Sequence, residues 1–316
     1  MKNNFLLLLL CSAFTLACAK KDRAKYQPDT KPNYRIVLAF DLTTAPDKLA
    51  MLDSAKNVTL RKLEDRFFYS NVSINADEQT ITCDIIGSDL HDKAPSDSLL
   101  KFTAALLANE GRLKFFNTYR IFDEGMLAVI AKVLQKESLL QNMVINQSGN
   151  PIGYAGAENI LKINAGFQNA ITKGQLPADL SCAWSLKPVI ITRENRHELY
   201  FLKGNAMITS ANIIAAEAMP SQDNPKEAVI SITFDKSGTQ KWAEMTTLAA
   251  QNGKREIAIS LNGGILSAPS VINPITGGIS TISGSWPIPD AVILAQLFRY
   301  GQLPVPAKIV SAKKLR

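Results

Sequence analysis

Apolar and polar positions change rhythm along this chain in a way that predicts its elements. From Tyr34 the run Tyr34-Arg35-Ile36-Val37-Leu38-Ala39-Phe40 reads as a strand. Pro46 then opens a helical stretch with Leu49, Leu52, Leu60, Leu63 and Phe67 near helical spacing. Val72 to Ile74 and Thr80 to Ile85 form a hairpin across the polar residues 75–79. Ser96 and Asp97 cap a second helix carrying Leu99, Leu100, Phe102, Leu106 and Leu107, and Gly111 stops it. Leu113-Lys114-Phe115-Phe116 begins another strand. The order βαββαβ predicts a ferredoxin-like α+β base, with two helices on one face of an antiparallel sheet.

A longer α+β region follows. Residues 123–140 read as a helix, and 142–177, with five glycines, carry no clear period. Glu227 to Phe234 alternates as a strand. Asp235 caps a helix with Trp242, Met245 and Leu248 on one face, ended by Gly253. Ile257 to Leu261 and Ile265 to Ala268 flank the turn Asn262-Gly263-Gly264. Pro289 to Tyr300 is helical and stops at Gly301. A Pro-rich extended stretch and a short strand near Ile309 complete the pattern.

The N-terminus changes the picture. Lys2 precedes the apolar run Phe5 to Ala17, shorter than the roughly 20 residues a spanning helix needs. Thr15-Leu16-Ala17-Cys18 then resembles a bacterial lipoprotein signal, although leucine is usual where Thr15 stands. Cys18 is the expected lipidation site; a plain secretory signal cleaved nearby is the other reading. The polar residues 19–33 read as a flexible tether. Of four cysteines, Cys83 and Cys182 lie beyond the signal. A disulfide between them is one option; two separate buried thiols is the expected one, because Cys83 alternates with Ile81 and Ile85.

Composition excludes more than it proposes. The chain has 316 residues, 46% apolar and 20% charged, as in ordinary globular proteins. Its net charge of +7 is dispersed, with no basic stripe interleaved with aromatics, so nucleic acid is not an expected partner. The two histidines, His91 and His197, lie in polar segments and read as isolated surface residues. No ligand spacing for a metal and no phosphate loop occurs, so neither metal, cofactor nor catalytic residue is assigned. Gly263-Gly264 and Gly277-Gly278 are explained by turn geometry.

Several linked motifs carry a family resemblance. They are Val229 to Gly238, Lys241 to Thr246, Arg255 to Ser260, Asn262 to Pro269, Pro274 to Gly278, Ile282 to Gly284, and Gly301-Gln302-Leu303-Pro304-Val305-Pro306-Ala307-Lys308-Ile309-Val310. In this order they resemble the head of the first periplasmic domain of SecD, the protein-export subunit. The βαββαβ stretch ending at Leu113 to Phe116 is similar to the SecD base, and Leu176 to Pro188 to the enlarged head of SecD proteins fused to SecF. The expected domains are a signal at 1–18, a tether at 19–33, a base at 34–122, an inserted head at 123–302 and a return segment at 303–316.

The resemblance implies a periplasmic, lipid-anchored accessory of export. Its expected partners are unfolded polypeptide or Sec translocon components. The membrane helices of SecD, with their proton pathway, and its Gly-Leu-Asp-Leu-x-Gly-Gly element have no counterpart here, and Asn262 stands where the family usually has aspartate. The implied polypeptide contacts are Ser267, Ala268, Pro269, Ile275 and Thr276. Implied hinges fall at the crossings between base and head, at Gly125, Gly301, Pro304 and Pro306. Two other classes stay open: an envelope assembly lipoprotein docking one folded partner, and an enzyme with carboxylate chemistry.

Overall fold

Alternation in Tyr34–Phe40 sets the first layer: Tyr34, Ile36, Leu38 and Phe40 are buried and the residues between them are not. The computed structural model describes residues 32–64, 69–86, 97–123, 125–136, 142–146 and 148–315. The signal with Cys18, most of the tether, Phe67, His91 and Ser96 lie outside the described residues. In chain order the strands and α-helices begin with β1 (Tyr34–Phe40), α1 (Lys48–Glu64), β2 (Tyr69–Asn75), β3 (Thr80–Ile86) and α2 (Asp97–Ala108). Next come β4 (Leu113–Tyr119), α3 (Met126–Lys136), β5 (Met143–Ile145), β6 (Gly153–Ala155), α4 (Ile160–Thr172), β7 (Leu180–Trp184), β8 (Val189–Ile191) and β9 (Glu194–Thr209). The rest are β10 (Ile213–Pro220), β11 (Glu227–Phe234), α5 (Lys236–Gln251), β12 (Ile257–Leu261), β13 (Gly264–Ser267), β14 (Ile279–Pro287), α6 (Ile288–Tyr300) and β15 (Ala307–Lys314).

The chain divides into two units. One runs to Glu110 and resumes at Gln302; the other is Gly111–Gly301. The first unit holds the antiparallel sheet β15-β1-β3-β2. That is the strand order of a ferredoxin-like fold, but its fourth strand is β15, not the expected 113–116. Residues 113–119 instead pair with β9 and β12 in the second unit, so the unit boundaries lie at 110/111 and 301/302 rather than at 122/123 and 302/303. Leu52, Ala55, Val58 and Leu63 of α1 and Leu100, Ala104 and Leu107 of α2 pack against the buried side chains of β1 and β3. Cys83 lies in that core as a free thiol, its pKa pushed up by burial to about 12.

The second unit is built on β9, sixteen residues long. Its odd-numbered Leu199 and Phe201 enter one apolar cluster with Ile130 and Leu134 of α3 and Ile163 and Phe167 of α4. Tyr200 and Leu202 enter another with Ala183, Ala258 and Ile265. One strand thus serves two cores. Two sheets result, β13-β12-β4-β9-β6-β5 with β7 and β8 also on β9, and β10-β11-β14. Helix α5 starts where predicted: the Asp235 carboxylate accepts from the Gly238 N–H. Trp242 of that helix packs on Phe115 at 5.5 Å between ring centroids and on Phe234 at 5.6 Å. The turn Asn262-Gly263 has positive φ at both residues, 52° and 91°, as a two-residue hairpin requires. Asn262 also exchanges bonds with Arg112: its N–H donates to the Arg112 carbonyl, and its side-chain oxygen accepts from the Arg112 N–H, both at 2.9 Å.

Candidate functional site

Two strands that each end a sheet come together in the second unit. Strand β13 ends one sheet, and its outer edge is bridged in parallel by Ser185, with the Leu186 N–H donating to the Ile265 carbonyl at 2.8 Å. Strand β14 ends the other sheet, and among the described residues its outer edge receives only the Ser267 hydroxyl, on the Ser283 carbonyl at 3.2 Å. Between them lies a cavity of about 370 Å³. Leu186, Val189, Leu261, Ile265, Leu266, Trp286, Ile293 and Leu294 line it, with Ser185, Lys187, Glu198, Tyr200, Ser267 and Asp290 as its polar members. Such a volume falls in the range of roughly 300–1,000 Å³ typical of small-ligand sites, and its walls are mostly apolar.

Local chemistry explains how each wall is held. The Ser185 hydroxyl accepts from the Glu198 N–H at 3.0 Å and donates to the Lys187 carbonyl at 2.8 Å, shaping the turn after β7. His197 is half-buried rather than an isolated surface residue: its Nδ1 donates to the Ser185 carbonyl at 2.7 Å. The rim carries an exposed ion pair, Lys187 to Asp290 at 3.4 Å. Burial raises the pKa of the Tyr200 hydroxyl, and the neighbouring Glu198 carboxylate adds to the shift. Burial likewise raises Glu198, against the hydrogen bond from Tyr200.

A second cavity of about 550 Å³ lies beside Tyr119, Lys203 and Arg255. Its polar groups already have partners. Arg255 pairs with Asp123 at 2.8 Å, the Tyr119 hydroxyl donates to Asp179 at 2.6 Å, and Lys203 stands 5.3 Å from the Tyr119 ring centroid. The first cavity is therefore the better candidate for an external chain.

Of the five implied polypeptide contacts, the structure brings only Ser267 to that groove. Ala268 packs beside Ile265, and the Pro269 carbonyl accepts from the Ile257 N–H at 3.1 Å. The Ile275 N–H donates to the Thr246 hydroxyl at 2.9 Å, which ties that loop to α5, and Thr276 is exposed. Gly125 lies at the entrance of α3, inside the second unit; Gly301 is its last residue, and Pro304 and Pro306 follow in the first unit. Sequence reasoning missed Leu186, Glu198 and Trp286. The one signal was Glu198 itself, an acid placed just before the apolar run Leu199 to Leu202 of a strand.

Residues 188–305, which include both of these strands and most of the groove, match the family model of the SecDF P1 head subdomain. Over that head region, and more distantly over its whole length, the chain is similar to the periplasmic domain of SecD. It is 38% identical over 109 residues to the protein translocase subunit SecD of Acidaminococcus fermentans, covering 34% of this chain and 25% of that protein. The SecD of Calditerrivibrio nitroreducens is 33% identical over 49% of this chain and 30% of its own length. The SecD of Rickettsia bellii aligns over 98% of this chain at 24% identity, and the chain spans 64% of that relative. A solved structure of SecDF, described as a membrane component that enhances protein export, shares the fold with a TM-score of 0.53 at 21% identity, over 89% of this chain and all of that one. SecDF in a super-membrane-facing form gives 0.54 at 21% identity, over 99% of this chain and 35% of that one. Among the described residues, no helix is long and apolar enough to cross a membrane.

Proposed function

We propose that this SecD-type domain is a periplasmic accessory of protein export whose head holds extended polypeptide in the groove between β13 and β14. The observation that carries this reading is the open outer edge of β14 beside an apolar floor shared with β13. An extended chain laid there can bond through its backbone to an open edge while alternate side chains enter the cavity. A folded client has its own backbone groups already paired and offers no such edge. The likeness to SecD proteins, and to a SecDF described as enhancing export, supports the biological setting.

Lipid attachment at Cys18 is part of the same reading, since Thr15 to Cys18 has the form of a lipoprotein signal; metabolic labelling with palmitate tests it. The crossings between base and head carry Gly111 and Gly301, with φ of 70° and 83°. They supply the backbone freedom that a hinge uses, in place of the expected Gly125. The deciding experiment is photo-crosslinking of the purified chain to one client in unfolded and folded form. Crosslinks above the folded control support the proposal. Equal crosslinking of both forms overturns it.

A further inference from the structure

Among the described residues, one ionisable group in the head groove has no counter-charge. Among the described residues, the Glu198 carboxylate accepts only a long bond from the Tyr200 hydroxyl, at 3.3 Å. The nearby cations are committed elsewhere: Lys187 pairs with Asp290 at 3.4 Å and Arg196 with Glu194 at 2.6 Å. His197 turns its Nδ1 to the Ser185 carbonyl. Tyr154 stands opposite Glu198 in the β6–β9 register and Tyr200 is its hydroxyl partner; neither supplies positive charge. Burial holds the carboxyl above its ordinary pKa, as expected for an acid partly withdrawn from water without a cation.

We propose that Glu198 is a specificity-determining residue of this groove, selecting extended segments in which a lysine or arginine is flanked by apolar side chains. The inference rests on the groove-binding reading above. An extended chain sends every second side chain the same way, so a basic residue aimed at Glu198 brings its i±2 neighbours along the same wall. Leu186, Val189, Ile265, Trp286 and Ile293 offer that wall apolar surface. The methylene stem of the basic residue packs on the same surface while its charged end meets the carboxylate. An acidic residue at that place is repelled by Glu198.

The test uses the full chain and short fluorescent peptides of alternating valine and serine that differ only in a central lysine, methionine or glutamate. Binding is read by anisotropy. The lysine peptide should bind about tenfold tighter than the methionine peptide, the difference of one charge-assisted hydrogen bond in a half-buried site, and the glutamate peptide weakest. Glu198→Gln should bring the lysine and methionine peptides to within about twofold of each other. Equal binding of the two by the unmutated chain overturns this proposal and leaves the groove reading standing. A lysine preference that persists in Glu198→Gln also overturns it, by assigning the preference elsewhere. Failure of every peptide to bind overturns the groove reading itself.

Discussion

Lys62 offers a sharp test of the base. Its side chain is fully buried, with 0% exposure, between α1 and α2. The ammonium donates to the Asn109 carbonyl at 2.6 Å and the Leu106 carbonyl at 3.3 Å, at the C-terminal end of α2. Burial pulls its pKa down to about 7, while the carbonyls and the helix end favour the charged form. In the unfolded chain a lysine titrates near about 10.4. Between these values the unfolded chain binds one more proton than the folded one, so this group makes stability rise with pH across that window. Each pH unit contributes about 1.36 kcal/mol, which gives about 3 kcal/mol between about pH 7 and about pH 9.5. Lys62→Met keeps the shape and removes the titration. Urea unfolding of both chains at the two pH values isolates the effect, because all other groups cancel in the difference. The natural chain should gain about 3 kcal/mol on the variant at the higher pH. A pH-independent difference would show that the α2 carbonyls keep the amine charged throughout, and would refute the reasoning.

Other outcomes follow from single contacts. Thr246→Val leaves the Ile275 N–H without its 2.9 Å acceptor and should cost about 1–2 kcal/mol in urea unfolding, with faster amide exchange at Ile275. Burial pushes Asp123 up, but bonds from Arg255 and the Arg120 N–H outweigh it and hold it below the ordinary carboxylate value. Its stabilisation is complete above about pH 4 and is lost as pH falls through the lower folded value. Asp123→Asn should therefore cost about 1–3 kcal/mol at neutral pH and flatten the acid limb of the stability curve. Gly111→Ala should destabilise more than Gly125→Ala, as differential scanning calorimetry would show. Both residues have φ above 70° or at it, but a Cβ at Gly111 meets the Gly301 carbonyl oxygen at 3.1 Å, whereas at Gly125 it meets nothing within 4 Å.

Elements with local signals were legible in the sequence. Asp235 announced α5 because a cap needs only the next few residues, and Asn262-Gly263 announced its hairpin because the turn's φ values need those residue types. What failed was assignment of a strand to a sheet. Leu113 and Phe115 alternate correctly for a strand, but their partners, Leu261 and Ile259 on one side and, for Phe115, Ile208 on the other, lie far along the chain. Their neighbours therefore could not be read from local pattern. The true fourth base strand, β15, carries the burial of an edge strand and little periodicity. Helix α4 was hidden by glycines at 156, 166 and 174, although Gly166 is buried where the helix needs a small residue. The groove was the least legible part. Leu186, Glu198, Ile265 and Trp286 meet only through the tertiary fold, and of the five implied polypeptide contacts Ser267 alone reaches them.

The measurement that bears most directly on the account is site-specific photo-crosslinking from the head. A photoreactive residue is placed at Leu186, in the groove, or at Ile190, exposed on β8 outside it, and an unfolded client is added. The account predicts strong crosslinks from Leu186 that unlabelled unfolded client competes away, with background crosslinking from Ile190. Equal labelling from the two positions, or labelling from Ile190 alone, would contradict it.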